Sequence, residues 1–135
     1  MRRAALEPKI KVERYAARSL HYLRNAAKFI DSGDAEKASE FLWGSIVQAL
    51  KAVALSKGFF LRNHAAIWNY VDALTKDSEK RDIRDAFVTA NLLHTNFYES
   101  ELGLERVRIL ADDIRVAVGK LLSLIPKEKS EEEVK

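Results

Sequence analysis

Cysteine is absent from this chain. That excludes disulfides and thiolate metal sites, and it fits an intracellular protein. Proline and glycine are scarce, two and five among 135 residues, so long regular elements joined by short turns are expected. Period-two alternation of β-branched residues is also lacking, and the predicted class is all-α. No apolar run approaches the roughly 18 residues a membrane span needs. The opening Met-Arg-Arg-Ala-Ala-Leu-Glu-Pro has no apolar signal core. A cytoplasmic protein with no membrane partner is the expectation. The three histidines, His21, His64 and His94, fall at no metal-ligand spacing, so no metal or cofactor is expected. There is no glycine-rich phosphate loop, no Ser/His/Asp pattern and no Glu-x-x-His carboxylate cluster of the di-iron kind. Few routes to ordinary catalysis remain.

What is present is a chain of one-domain length with 47% hydrophobic residues, enough to bury about two-thirds of its unfolded surface. Residues 1–126 read as a single helical-bundle domain. Residues 127–135, Lys-Glu-Lys-Ser-Glu-Glu-Glu-Val-Lys, are too polar to order themselves and read as a frayed tail. The net charge of +3 hides an asymmetry, because residues 1–30 hold eight cations against Glu7 and Glu13, a net of +6.

Five helical segments can be marked. The first is expected from about Pro8, which suits an opening helical turn, to Ile30, with Val12, Ala16, Leu20, Leu23, Ala27 and Ile30 as its buried stripe. Gly33 and Asp34 can end it and cap the next. The second runs from Ala35 to Lys57 with Ala38, Phe41, Leu42, Ile46, Ala49, Val53 and Ala54 inward. At about 1.5 Å per residue each is some 35 Å long, and the short joint makes them antiparallel. Phe59-Phe60-Leu61-Arg62 reads as an apolar connector plugging one end of the bundle. Asn63 can cap a shorter third helix from His64 to about Lys76. After Asp77-Ser78 a fourth runs to about Tyr98, and a fifth from about Leu104 to Leu124 stops at Pro126. The architecture is an up-down bundle of four to five helices.

Two stripes carry polar chemistry. On the fourth helix Ile83, Phe87, Ala90, Leu93 and Phe97 make a core seam. Asn91, His94 and Tyr98 follow the same spacing on a neighbouring face, with Thr95 beside them. A histidine beside amide and phenol groups can serve as general acid or base, or hold a phosphate; the plainer alternative is a hydrogen-bonded core or interface histidine. On the first helix Lys11, Arg14, Arg18, His21, Asn25 and Lys28 form one polar line. It can follow a nucleic-acid backbone or an acidic partner, with an affinity slope against log salt of about −3 to −4 for four phosphate contacts; the plainer alternative is a solvated face. Trp43 beside Gly44 and Ser45 suggests close helix–helix approach, and His64 at a helix start is placed to meet an anion; the plainer alternatives are core or dimer packing for Trp43 and a simple capping-turn residue for His64.

The run Ala35 to Ala54 (Ala-Glu-Lys-Ala-Ser-Glu-Phe-Leu-Trp-Gly-Ser-Ile-Val-Gln-Ala-Leu-Lys-Ala-Val-Ala), then His64, then Leu93-His94-Thr95-Asn96-Phe97-Tyr98-Glu99, resembles the archaeal PaREP family. That family looks like a branch of the HEPN superfamily of small helical bundles. The resemblance implies a homodimer that binds RNA, a nucleotide or a protein partner, and many HEPN proteins are toxin ribonucleases. Those carry an arginine, a polar residue and then a histidine about four to six residues on. His94 fits the histidine. The positions four to seven residues before it are Ala90, Thr89, Val88 and Phe87, and Arg84 lies ten upstream, about 15 Å along the helix and out of phase. The expectation is therefore a binding or interaction module contacting its ligand through Asn91, His94, Tyr98, Lys11, Arg14, Arg18 and Lys28. The alternatives are a divergent metal-independent endoribonuclease using His94, or an antitoxin-like or scaffold protein with no small ligand.

Overall fold

A computed structural model describes residues 2–99 and 102–127, with side chains from Glu7 onward except that of Tyr98. The expected tail lies, from residue 128 on, outside the described residues. The described residues form five α-helices, one 3-10 turn and no strand. These are α1 (Arg2–Ser32), α2 (Ala35–Ser56), α3 (His64–Leu74), the turn Ser78–Lys80, α4 (Arg81–Glu99) and α5 (Leu104–Ser123).

The joints follow local chemistry. Gly33 takes φ +84°, and the amides of Gly33 and Asp34 return to the carbonyls of Ile30 and Phe29, closing α1 with a left-handed cap. Asp34 Oδ1 then accepts from the Lys37 amide at 3.0 Å and opens α2. Asn63 Oδ1 does the same for α3 through the Ala66 amide, at 2.8 Å. Asp77 caps the 3-10 turn rather than α4 itself, accepting from the Glu79 amide. Helix α3 stops at Leu74, short of Lys76, where the Thr75 hydroxyl donates back to the Val71 carbonyl at 2.6 Å. Helix α1 extends back past Pro8 to Arg2, so this proline sits inside the helix and removes one backbone donor there.

Helix α2 is the axis of the bundle, packing against α1, α3, α4 and α5. Eleven of its 22 residues are buried, from Ala38 to Ala54, as expected of a helix apolar nearly all round. One apolar cluster joins Ala26 and Ile30 of α1 to Ile46, Leu50 and Val53 of α2, Val71 of α3, Phe87 and Leu93 of α4 and Ile114 and Leu121 of α5.

The α1 stripe differs from the sequence expectation. Leu20 and Ala27 face solvent, while Ser19 and Ala26 are buried. The α1–α2 seam is lined with small residues, which lets the two backbones approach. The Ser19 hydroxyl donates to the Ser45 carbonyl at 2.6 Å, and Ser45 Oγ donates to the Leu42 carbonyl at 2.7 Å. At Gly44 the approach leaves little room for a side chain, since a Cβ there would stand 3.0 Å from Tyr22 Cδ2. Gly44→Val is expected to lower stability by about 1–3 kcal/mol, because the ring must leave and α1 must shift. Urea unfolding reads this as a lower midpoint, and an unchanged midpoint would show that the seam can relax.

Candidate functional site

His94 meets a partner that sequence spacing does not indicate. Its Nδ1 lies 2.8 Å from Glu40 Oε2, across 54 residues of chain. A carboxylate only accepts, so the ring nitrogen facing it carries the proton, and Nε2 is the acceptor nitrogen of the neutral ring. The two side chains are 25% and 32% exposed, so an incoming molecule can reach both. One turn along α2 from Glu40, Trp43 stacks on the His94 ring with centroids 4.1 Å apart and planes 18° apart. His64, the first residue of α3, approaches from that helix. Its ring centroid is 5.7 Å from Trp43 and 6.4 Å from His94.

Three helices thus bring one carboxylate, two imidazoles and one indole together. Behind them is a void of about 10 Å3 lined by Trp43, Val47, His64, Ile67, Trp68, Phe87 and Asn91, at the limit for holding one water. Trp43 Nε1 is buried and has no hydrogen-bond partner, the only such buried side-chain atom among the described residues. Asn91 Nδ2 donates to the Phe87 carbonyl at 2.8 Å, so its amide is turned onto its own helix. Among the described residues no group of three histidines, carboxylates or cysteines could hold a metal ion.

Glu40, Gly44, Gln48 and Lys51 follow at steps of four, four and three, a single line along α2. All four are half-buried. His94 of α4 reaches this line at Glu40. From α1, Tyr22 lies against it at Gly44, and Arg18 Nη1 reaches Gln48 Oε1 at 3.5 Å. The polar seam of α4 and the basic face of α1, unrelated in sequence, therefore border the same strip of α2.

The other expected residues can be placed as well. Lys11 sets its Nζ over the Phe60 ring, 5.9 Å from the centroid. Arg14 and Lys28 are exposed. His21 and Asn25 pair with each other at 3.3 Å within the stripe. Tyr98 is on α4, but its side chain lies outside the described residues. Arg84 is bound to Asp72 of α3 at 2.7 Å, an ion pair that holds its guanidinium at the α3–α4 contact.

A family model described as the archaeal PaREP1/PaREP8 family matches residues 14–118. The chain belongs to that family. A search of curated proteins found no match. The matched span contains Glu40, Trp43, His64 and His94 and most of the basic stripe, while Lys11 lies before it. The family match therefore covers the fold and the clustered side chains together. Among the described residues, no helix is long and apolar enough to cross a membrane.

Glu40 is the residue sequence reasoning missed. It sits among several charges near the start of α2, and nothing local marks it. Trp43 and His64 were visible as separate features, and only the tertiary packing of α3 and α4 on α2 joins them.

Proposed function

We propose that this chain is a HEPN-like, cytoplasmic binding module that takes RNA or a nucleotide along the strip between α1 and α4. The observation that carries the proposal is the state of the α1 cations. Lys11, Arg14, Arg18 and Lys28 are all exposed, and no ion pair neutralises any of them among the described residues. Cations that lack internal carboxylate partners leave a positive field for an external anion. Beside that field stand a part-exposed imidazole oriented by Glu40 and a tryptophan, suited to a phosphate and a base. The module acts as a homodimer in this reading. Val88 and Leu92 on α4 and Ile109 and Val116 on α5 are apolar and 49–61% exposed, a surface suited to a second copy, and sedimentation reads the assembly directly.

The test is a titration of labelled single-stranded RNA across a range of salt. Four phosphate contacts predict a slope of about −3 in log affinity against log salt. Absent or salt-independent binding would overturn the proposal.

A second reading has one specific observation in its favour. A carboxylate-oriented His94 with His64 at 6.4 Å supplies a base and an acid for phosphodiester cleavage without a metal. RNA cut in the presence of chelator by the native chain, and left whole by His94→Ala, would select cleavage over binding alone. An intact strand after long incubation would remove the enzyme.

A further inference from the structure

The connector between α2 and α3 does not plug the bundle as its composition suggests. Gly58 takes φ +91°, and the amides of Gly58 and Phe59 return to the carbonyls of Leu55 and Ala54, so the chain leaves α2 in a sharp left-handed turn. Only Leu61 then enters the core, at 8% exposure, while Phe59 and Phe60 are 58% and 51% exposed. Two adjacent large aromatics held out in water by a capped turn need an explanation other than packing.

The surroundings of Phe60 supply one. Lys11 Nζ lies over its ring at 5.9 Å and the Arg62 guanidinium at 5.6 Å, while Phe59 leans on Tyr70 at 6.3 Å. Lys11 is also the first cation of the α1 stripe. The segment Lys57-Gly-Phe-Phe-Leu-Arg-Asn63 contains two cations and no acid. The aromatic pair therefore sits at one end of the basic track and is continuous with it.

We propose that Phe60 is a stacking platform for an unpaired base, so that the ligand of the α1 track is a single-stranded nucleic acid. This rests on the nucleic-acid reading above and narrows it. A base enters by displacing one of the two flexible cations from the ring. An exposed cation–π contact is weaker than a stacked base, so the exchange is favourable, and the displaced cation is left beside the phosphate. A duplex keeps its bases paired and gains nothing from Phe60. The backbone of the strand then runs from Lys11 toward Arg14 and Arg18, and the exposed Phe59 edge is the neighbouring apolar surface.

The experiment measures four probes with the native chain, Phe60→Ala and Phe60→Trp. The probes are single-stranded RNA, a duplex of the same length, inorganic polyphosphate of matched charge, and vesicles containing phosphatidylserine. The expected result is a loss of roughly tenfold for single-stranded RNA in Phe60→Ala, recovery in Phe60→Trp, and no change for duplex or polyphosphate. An equal loss on RNA and polyphosphate overturns the stacking role, as does an unchanged RNA affinity in Phe60→Ala. A loss confined to vesicles overturns it in favour of a membrane surface. If the native chain binds neither RNA nor polyphosphate, the nucleic-acid reading itself has failed, and the platform with it.

Discussion

Asn96→Leu is expected to destabilise the bundle by about 3 kcal/mol. Asn96 is 1% exposed. Its Nδ2 donates to Ser39 Oγ at 3.0 Å and to the Leu102 carbonyl at 3.2 Å, and its Oδ1 accepts from the Leu102 amide. Leucine keeps the branched outline but is larger, so overpacking of this dry site adds to the polar loss. It strands both backbone groups of Leu102, each at about 1–3 kcal/mol when dry. Leu102 is only half-buried, so water recovers part of this, and Ser39 Oγ keeps its bond to the Ala35 carbonyl at 2.7 Å. The thermal midpoint should fall by roughly 10 °C. Thr95→Ala, exposed and adjacent, is the control and should change little. A midpoint equal to that control would show that the Leu102 turn is held by something else.

The same residue links stability to the site. Asn96–Ser39 and His94–Glu40 are neighbouring cross-links between α4 and α2, built on consecutive residues of α2. The first is buried and neutral, and it fixes how far α4 slides along α2. The second is part-exposed and titratable. Asn96 is therefore a positioning residue for the imidazole, which lies two residues before it on α4.

The helices were legible in the sequence because their signals are local. Asp34 and Asn63 cap the helices they precede, Gly33 ends the helix it follows, and the α4 seam from Ile83 to Leu93 is buried as its spacing predicts. The α1 register departs from its apolar spacing at Leu20 for a physical reason. Apolarity alone does not bring burial, because a tight seam selects small residues, and Ser19 and Ala26 fit against α2 where leucine does not. Phe59 and Phe60 are likewise apolar and yet exposed. His94 was legible as an isolated titratable group on a helical face, and the basic line of α1 by its spacing. Glu40 was not, because a partner 54 residues away in the chain leaves no periodic trace.

Reversing two of those α1 cations tests the functional reading most severely. Arg14 and Arg18 lie one turn apart, are exposed, and carry only the long 3.5 Å bond from Arg18 to Gln48. Arg14→Glu with Arg18→Glu should therefore leave the thermal midpoint almost unmoved. Binding should respond strongly. A single-strand phosphate contact contributes about 0.7 to the log-salt slope, which near 0.1 M salt is roughly a fivefold gain per contact. Losing two contacts removes about 25-fold, and two introduced carboxylates repel the strand as well, so the expected loss is on the order of 100-fold. The slope itself should fall from about −3 to about −1.5, because only Lys11 and Lys28 still release counterions. A loss of affinity with an unchanged slope would instead point to a local contact at Arg18 and Gln48. An unchanged affinity would leave the α1 stripe a solvated face, with the Glu40–His94–Trp43 cluster standing alone as the site.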